Sequence, residues 1–373
     1  MYIKIFANIT YIFLGFIFLR FSFSAACVEK LELYRVQTYV IQPYSLKNLS
    51  IRSYHTKSLS SLDTSMKLNP WFITGFVDGE GSFSVSIRDI DKKVRVLYAF
   101  SIGLHKKDEN ILKNIQSTLG IGKIYSRGKD GIQFRVESKK ELLILIEHFN
   151  KYPLITKKNR DFLYFKKAIL LINNKEHLTK EGLLKLVSIK ALMNKGLTDE
   201  LKAGFSDLVS ENELRIPDLT LPQNLILDPN WFAGFISAEG SFIISIFKSA
   251  YVKTGYQVQL RFSLSQHIRD KDLFENFVKY FGFGYTAENR EGIYFLVTKL
   301  SDLKDKFLPI LLSLEYPVVG YKYRDFLYFK EAVEIMCKKL HLTEEGLNKL
   351  REIRQLLNSG RENIPSEDTG STD

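Results

Sequence analysis

Cysteine is scarce in this 373-residue chain, where Cys27 and Cys337 are the only two. So few thiols, so far apart, exclude a disulfide framework and a thiolate zinc site. Six histidines (His55, His105, His148, His177, His267 and His341) show neither HxxxH nor HxH spacing. Transition-metal chemistry through nitrogen or sulfur is thereby set aside, and any metal has to be held by oxygen. Acidic charge is the minority sign: 42 Asp and Glu stand against 53 Lys and Arg, a formal charge of +11. That excess points to a polyanionic partner, nucleic acid or an anionic membrane surface.

Long apolar runs are also missing, save at the start. MYIKIFANITYIFLGFIFLRFSFSAAC is apolar and aromatic, with Lys4 ahead of the main run and Arg20 interrupting it. It reads as a leader upstream of the functional protein, as a secretory signal ending at Ala25 and Ala26, or as a short membrane span. The leader reading ranks first, because Cys27 to Lys67 is basic, rich in Ser and Tyr, and without clear periodicity.

What the chain does contain is itself, twice. NPWFITGFVDGEGSF (Asn69 to Phe83) lies over DPNWFAGFISAEGSF (Asp228 to Phe242) at an offset of 159 residues. Further on, Tyr152 to Leu186 lies over Tyr316 to Leu350 at an offset of 164, with 20 of 35 positions identical. The shift is a net five-residue insertion in the second copy, expected in its loops. A period this long marks a duplicated domain, not a solenoid unit.

Each copy reads alike. Trp71 to Val77 is apolar almost all round, which predicts a buried helix. Gly81 to Arg88 alternates Phe83, Val85 and Ile87 with Ser82, Ser84 and Ser86, a half-buried strand. Val94 to Leu104 is a second strand. Asp108 to Leu119 has helical spacing, with Asp108 as N-cap and Gly120 as stop. Ile121 to Ser126 and Ile132 to Val136 make a hairpin around Gly128 to Gly131. Helices follow at Lys139 to Phe149, Lys158 to Asn173 and Thr179 to Asn194. The second copy repeats the order, with strands Gly240 to Phe247 and Tyr256 to Ser265, a helix from Asp270 and a hairpin around Glu288 to Gly292. The expected fold is α+β: two pseudo-twofold-related αββαββα repeats carrying two antiparallel sheets. The boundaries read 1–66 leader, 67–195 first repeat, 196–227 linker, 228–359 second repeat and 360–373 polar acidic tail, disordered by composition.

Gly75 and Gly79 stand four apart on the first buried helix, and Gly234 and Ala238 on the second. Small residues at this spacing let two helix backbones approach closely. Packed along a pseudo-twofold axis, the helices bring Glu80 and Glu239 together at their C-termini. Two carboxylates there repel, and the helix dipoles add negative potential. A divalent cation such as Mg²⁺ resolves the conflict, with phosphate oxygens completing its shell. Two such acids across a twofold suit metal-assisted hydrolysis of two phosphodiesters, one per strand of a duplex. A single Glu-Gly mostly just ends a helix; the matched pair is what carries the reading.

The polar sheet faces offer Ser82, Ser84, Ser86, Arg88 and Arg95 in one repeat. The other offers Ser241, Ser245, Lys248, Gln257, Gln259 and Arg261. Antiparallel strands enter a major groove, and these side-chain types read base edges there. The loops Asp89 to Lys93 and Lys248 to Thr254 extend that contact. Lys158 and Lys322, at matched positions before the RDFLYFK helices, suit stabilisation of developing phosphate charge. Gln266 can orient a water, while its counterpart is Leu104, so the site is asymmetric. Phe162 and Phe165 read as core, not as a stacking platform.

FITGFVDGEG (Phe72 to Gly81) and WFAGFISAEG (Trp231 to Gly240) resemble the signature of LAGLIDADG homing endonucleases, in the two-repeat single-chain form. The resemblance spans Asn69 to Gly360. LHKKDENILKNIQSTLG, SQHIRDKDLFENF and KEHLTKEGL are similar to the subgroup encoded in fungal mitochondrial introns. It implies a site-specific double-strand DNA endonuclease acting as a monomer with no obligate protein partner. Its sheets form a saddle on a long, partly symmetric duplex, and short 3′ overhangs result. It assigns Glu80 and Glu239, helped by the Gly79 and Ala238 carbonyls, to two or three Mg²⁺ ions bound with DNA. It also implies a mitochondrial location and an exon-derived leader. The alternative on the same scaffold is a maturase that binds host intron RNA, for which neither glutamate need be kept. One departure is Ser237, where the first copy has Asp78.

Overall fold

The computed structural model describes residues 67–90, 93–193, 196–204, 216, 227–313 and 318–358. The leader, most of the linker and the tail lie outside the described residues. In chain order the elements are α1 (Pro70–Glu80), β1 (Gly81–Ile90), β2 (Lys93–His105), α2 (Glu109–Leu119), β3 (Lys123–Arg127) and β4 (Gly131–Val136). Then come α3 (Lys139–Lys151), α4 (Lys158–Asn173), α5 (Lys180–Leu192) and the short α6 (Asp199–Gly204), which falls inside the expected linker. The second repeat has α7 (Pro229–Glu239), β5 (Ser241–Lys248), β6 (Tyr256–His267), α8 (Lys271–Phe281), β7 (Tyr285–Asn289) and β8 (Gly292–Val297). It ends with α9, α10 (Tyr321–Cys337) and α11 (Glu344–Asn358); α9 runs through Leu300–Asp302, a π turn at Leu303–Phe307, and Leu308–Ser313.

Each repeat builds one antiparallel four-stranded sheet, in the order β1-β2-β4-β3 and β5-β6-β8-β7. The expected α+β architecture stands: β1 and β6 run two residues beyond the expected bounds, β2 gains one at each end and β4 gains Gly131. β5 is shifted one residue on, and β3 begins at Lys123, not Ile121, past the positive φ of Gly122. The first expected loop does not: Asp89 pairs with Val94 and Ile90 with Lys93, so the β1–β2 ladder runs almost to its turn. The second loop is real, running from Ser249 to Gly255 between β5 and β6. Part of the inserted length of the second repeat sits there, as loop-borne insertions should.

Period-2 alternation buries one face of each sheet under its helices. Phe83 meets the rings of Phe100, Phe149, Phe162 and Phe165. Phe242 meets Phe262, Phe326 and Phe329 in the same way. The RDFLYFK phenylalanines are therefore core, as the helical spacing indicated.

The two repeats join through α1 and α7. Each begins at a matched cap: the Asn69 side chain accepts from Trp71 N, that of Asp228 from Asn230 N, and a proline follows at the first helical position. A Cβ at Gly75 would overlap the Trp231 carbonyl oxygen, and one at Gly234 the Phe72 carbonyl oxygen, so backbone lies directly on backbone. One turn later a Cβ at Gly79 would overlap that of Ala238. Only one methyl fits between the helices there. Gly79→Ala is accordingly expected to cost about 1–3 kcal/mol. Ala238→Gly in the same chain should recover most of it, which a denaturant double-mutant cycle checks.

Candidate active site

Close packing of α1 and α7 decides where their last residues go. Glu80 and Glu239 end the two helices, and Gly81 and Gly240 cap them with extended backbone that leads into β1 and β5. The Glu239 side chain lies against Gly79 of the opposite helix, where an added Cβ would stand 3.1 Å from its Cγ. Burial pushes the Glu239 carboxyl up, Glu80 pushes it further, and Lys158, Lys322 and a hydrogen bond from Gln266 pull it back. Glu80 is raised by burial and lowered by Lys322 and Lys158. The two acids thus share one electrostatic site, as the small-residue spacing predicted.

Both matched lysines reach it. Lys158 Nζ donates to Val77 O at 2.9 Å and to Gly79 O at 2.6 Å. Lys322 Nζ donates to Ala238 O at 2.8 Å. All three lie in the last turns of α1 and α7, where the dipole favours cations; Val77 O also accepts from Gly81 N. The Gly79 and Ala238 carbonyls expected beside a metal therefore hold ammonium groups in this structure. Burial lowers the Lys158 pKa, while Asp78, Glu239 and Glu80 raise it.

Asymmetry is built in at one strand position. Gln266 pairs with Ile293 across β6 and β8, as Leu104 pairs with Ile132 across β2 and β4. Its Oε1 accepts from His267 N at 3.1 Å, so the amide nitrogen is the group turned to Glu239. Beside Glu80, Leu104 instead lines a cavity of about 570 Å³ with Lys322, Arg127, Asp325 and Tyr321.

The other acid of the motif does structural work. Asp78 is fully buried and accepts from Ile155 N (3.1 Å), Thr156 N (3.2 Å) and Thr156 Oγ1 (2.5 Å), and from Trp231 Nε1 of the other repeat (2.8 Å). Ser237 holds the equivalent segment more simply, accepting from Val319 N at 3.1 Å and donating to Ala233 O at 2.8 Å. The departure from Asp to Ser thus keeps the task of fixing the chain before each lysine helix.

Burial raises Asp78 to about 6, against the hydrogen bonds from Thr156, Ile155 and Trp231 that lower it. Its folded pKa lies above its unfolded one, so its stability contribution is complete below about pH 4 and lost as pH rises through about 6. The stability of the wild type relative to Asp78→Asn is expected to fall by about 2–3 kcal/mol between pH 4 and pH 7. Urea unfolding of both proteins at the two pH values measures it.

On the sheets, Ser82, Arg88, Arg95, Lys248, Gln257, Gln259 and Arg261 are exposed, and Ser84, Ser86, Ser241 and Ser245 half-buried. Ser84 spends its hydroxyl proton on Ala99 O (3.0 Å), so it offers lone pairs only. Cross-strand register extends the row: Ser82 sits opposite Ser101, which leads through Arg135 to Lys123. Gly103 leads through Gln133 to Tyr125 in the same way. These four side chains belong with the polar face: β4 alternates Gln133 and Arg135 with buried Ile132, Phe134 and Val136, while β3 shows no clear alternation by itself.

Among the described residues no group of three or more His, Cys, Asp or Glu could hold a metal ion. No described helix is long and apolar enough to cross a membrane. The donor set is all oxygen, two carboxylates and two backbone carbonyls, and suits a hard cation that takes its remaining ligands from elsewhere.

The model of the LAGLIDADG endonuclease family matches residues 73–169 and 232–333. A "probable intron-encoded endonuclease 3" of Neurospora crassa is 38% identical over 301 residues, covering 79% of this chain and 55% of the relative. The chain thus spans about half the length of that relative. The crystal structure of the homing endonuclease I-SmaMI bound to cleaved DNA is 39% identical, with a TM-score of 0.74 over 80% of this chain and 99% of that one. I-SmaMI bound to uncleaved target in the presence of calcium ions superposes with a TM-score of 0.73 over 78% and 99%, at 39% identity. With both repeats matched, and with two motif helices in backbone contact, the chain belongs to the LAGLIDADG endonuclease family.

Proposed function

We propose that this chain is a site-specific double-strand DNA endonuclease that hydrolyses one phosphodiester per strand with a divalent metal, Mg²⁺ in the cell. The single observation that carries the reading is the meeting of Glu80 and Glu239 at one site, each raised by burial and each next to both lysines. A fold that needed only stability would not bury two acids at two helix C-termini.

Glu80 and Glu239 would hold the cation, which when bound supplies Lewis-acid activation of the scissile phosphate and a more acidic water. The rest falls to the chain. Lys158 and Lys322, fixed on helix-end carbonyls, place positive charge where phosphoryl oxygens gain negative charge. An ammonium has three N–H groups, so Lys158 keeps one beyond its two carbonyl bonds. Gln266 fixes the Glu239 carboxylate and gives that half of the site a polar wall where the other half has Leu104.

Exposed Arg88, Arg95, Arg261, Lys248, Gln257 and Gln259, with the serines beside them, suit the phosphates and base edges of a major groove. Both motifs stand in one chain, so the reading needs no second copy. An organellar location accords with the intron-encoded relatives.

The test is a library of duplexes spanning intronless insertion junctions, incubated with the full chain and Mg²⁺, with cut ends sequenced. One dominant site cut on both strands with short 3′ overhangs is expected. Sequence-specific binding with no cut under any divalent cation would overturn the reading and direct attention to intron RNA.

A further inference from the structure

We propose that Asp108 and Asp270 are positioning residues acting across the repeats, each fixing the lysine helix of the opposite half. The proposal rests on the endonuclease reading for what the lysines do, and on geometry for how they are held. Both aspartates occupy the N-cap position of a helix, α2 and α8, with nearly the same backbone (φ −96°, ψ 18° and φ −97°, ψ 17°). An aspartate there ordinarily bonds the N–H groups of its own first turn. Neither does so here.

Each carboxylate crosses instead. Asp270 Oδ1 accepts from Lys157 N at 2.6 Å, and Asp108 Oδ1 accepts from Tyr321 N at 3.0 Å. Lys157 immediately precedes Lys158, and Tyr321 immediately precedes Lys322. Each carboxylate therefore caps, in trans, the start of the helix that carries a site lysine, meeting an orphan N–H with a charge the dipole favours. Gly320 has φ +70° and stands where a Cβ would overlap Asp108 Oδ1, so a side chain there would block the approach.

A second tie reinforces each cap, from the residue before the aspartate. Lys107 Nζ lies 4.8 Å from the Tyr321 ring centroid. Arg269 Nη2 stands 3.9 Å from Asp161 Oδ2, one turn into α4. Neither tie joins elements of the same repeat. The lysine that serves one half of the site is thus set by the acid of the other half, and neither repeat completes a site alone. Ordinary interface packing explains contact between the repeats. It does not explain why two N-cap aspartates both leave their own helices for the residue before a lysine.

The experiment uses the full chain, the duplex recovered from the library above with both strands labelled, and single-turnover conditions. Asp270→Ala is expected to slow the strand that Lys158→Ala slows, by about 10- to 100-fold with little change in Kd. Asp108→Ala should slow the strand that Lys322→Ala slows. Adding either change to its matching lysine variant should give no further loss. Asp270→Asn and Asp108→Asn retain an oxygen acceptor and should keep most of the rate, which separates lost positioning from a lost fold. Equal slowing of both strands, full multiplication with the matching lysine variant, or an effect confined to Kd would overturn the proposal.

A readout without DNA or metal stands beside it: ¹⁵N NMR of the lysine ammonium groups, assigned through the lysine variants. Asp270→Ala should shift the Lys158 signal and leave that of Lys322, with the reverse for Asp108→Ala. Unmoved signals would also overturn it. If the wild type cuts no duplex, the endonuclease reading fails alone, and the ammonium signals still decide whether the aspartates position the lysines.

Discussion

Glu80→Gln and Glu239→Gln are each expected to lower double-strand cleavage on the order of a thousandfold while leaving duplex affinity nearly unchanged. Glutamine keeps the shape of the side chain and removes the charge that a cation needs. Affinity is set mostly by phosphate and groove contacts on the sheets, which neither change touches. The same substitutions should raise the thermal midpoint. Burial raises both carboxyls above their usual range, and Glu80 raises Glu239 further, so each pays desolvation and repulsion for its charge. Opposite signs for activity and stability are the signature of groups kept for chemistry. A chain in which both variants lost stability and kept their cleavage rate would not be using these acids as proposed. Calorimetry and single-turnover kinetics on the same preparations give both numbers.

Gly75→Ala is expected to be among the most damaging single changes away from the carboxylates, at about 3–5 kcal/mol. The obstacle to the new methyl is the Trp231 carbonyl oxygen, with Phe235 N 3.0 Å away. A side chain can rotate out of the way; a carbonyl in a buried helix can move only with the helix. Separating α1 from α7 would also pull Trp231 Nε1 from Asp78 and spread the two glutamates. Gly234→Ala should do the same through the Phe72 carbonyl. Loss of cleavage should therefore track loss of stability in these variants, unlike in the glutamine variants. Urea midpoints and cleavage rates measured together distinguish the two kinds of failure, and a cost below 1 kcal/mol would mean that the backbones are not in contact.

Much of this was legible because the chain states its plan twice. The apolar helix, the serine alternation, the glycine stop at Gly120 and the Phe162 and Phe165 core follow from local periodicity, and the structure keeps all of them. The approach of the motif helices follows from small residues at matched spacing. What local patterns cannot carry is the identity of a partner far along the chain. Asp108 looks like an N-cap and stands at one, yet its hydrogen bond goes to Tyr321 in the other repeat. The Asp78 clamp on Ile155 and Thr156 is hidden for the same reason. Matching the copies singles out Lys158 and Lys322, but their seats on helix-end carbonyls depend on how the helices pack. Gln133 and Arg135 are readable from the alternation of β4 with Ile132, Phe134 and Val136, whereas β3 has no such alternation and only the β3–β4 register places Lys123 and Tyr125 on the polar face.

The central claim is that Glu80 and Glu239 form one cation site that serves both strands. Its most direct test is an anomalous-difference map from crystals of the full chain on its duplex, grown with Mn²⁺. The account predicts strong peaks within ligand distance of both carboxylates. Manganese bound only elsewhere, with neither carboxylate within ligand distance of a peak, would contradict it.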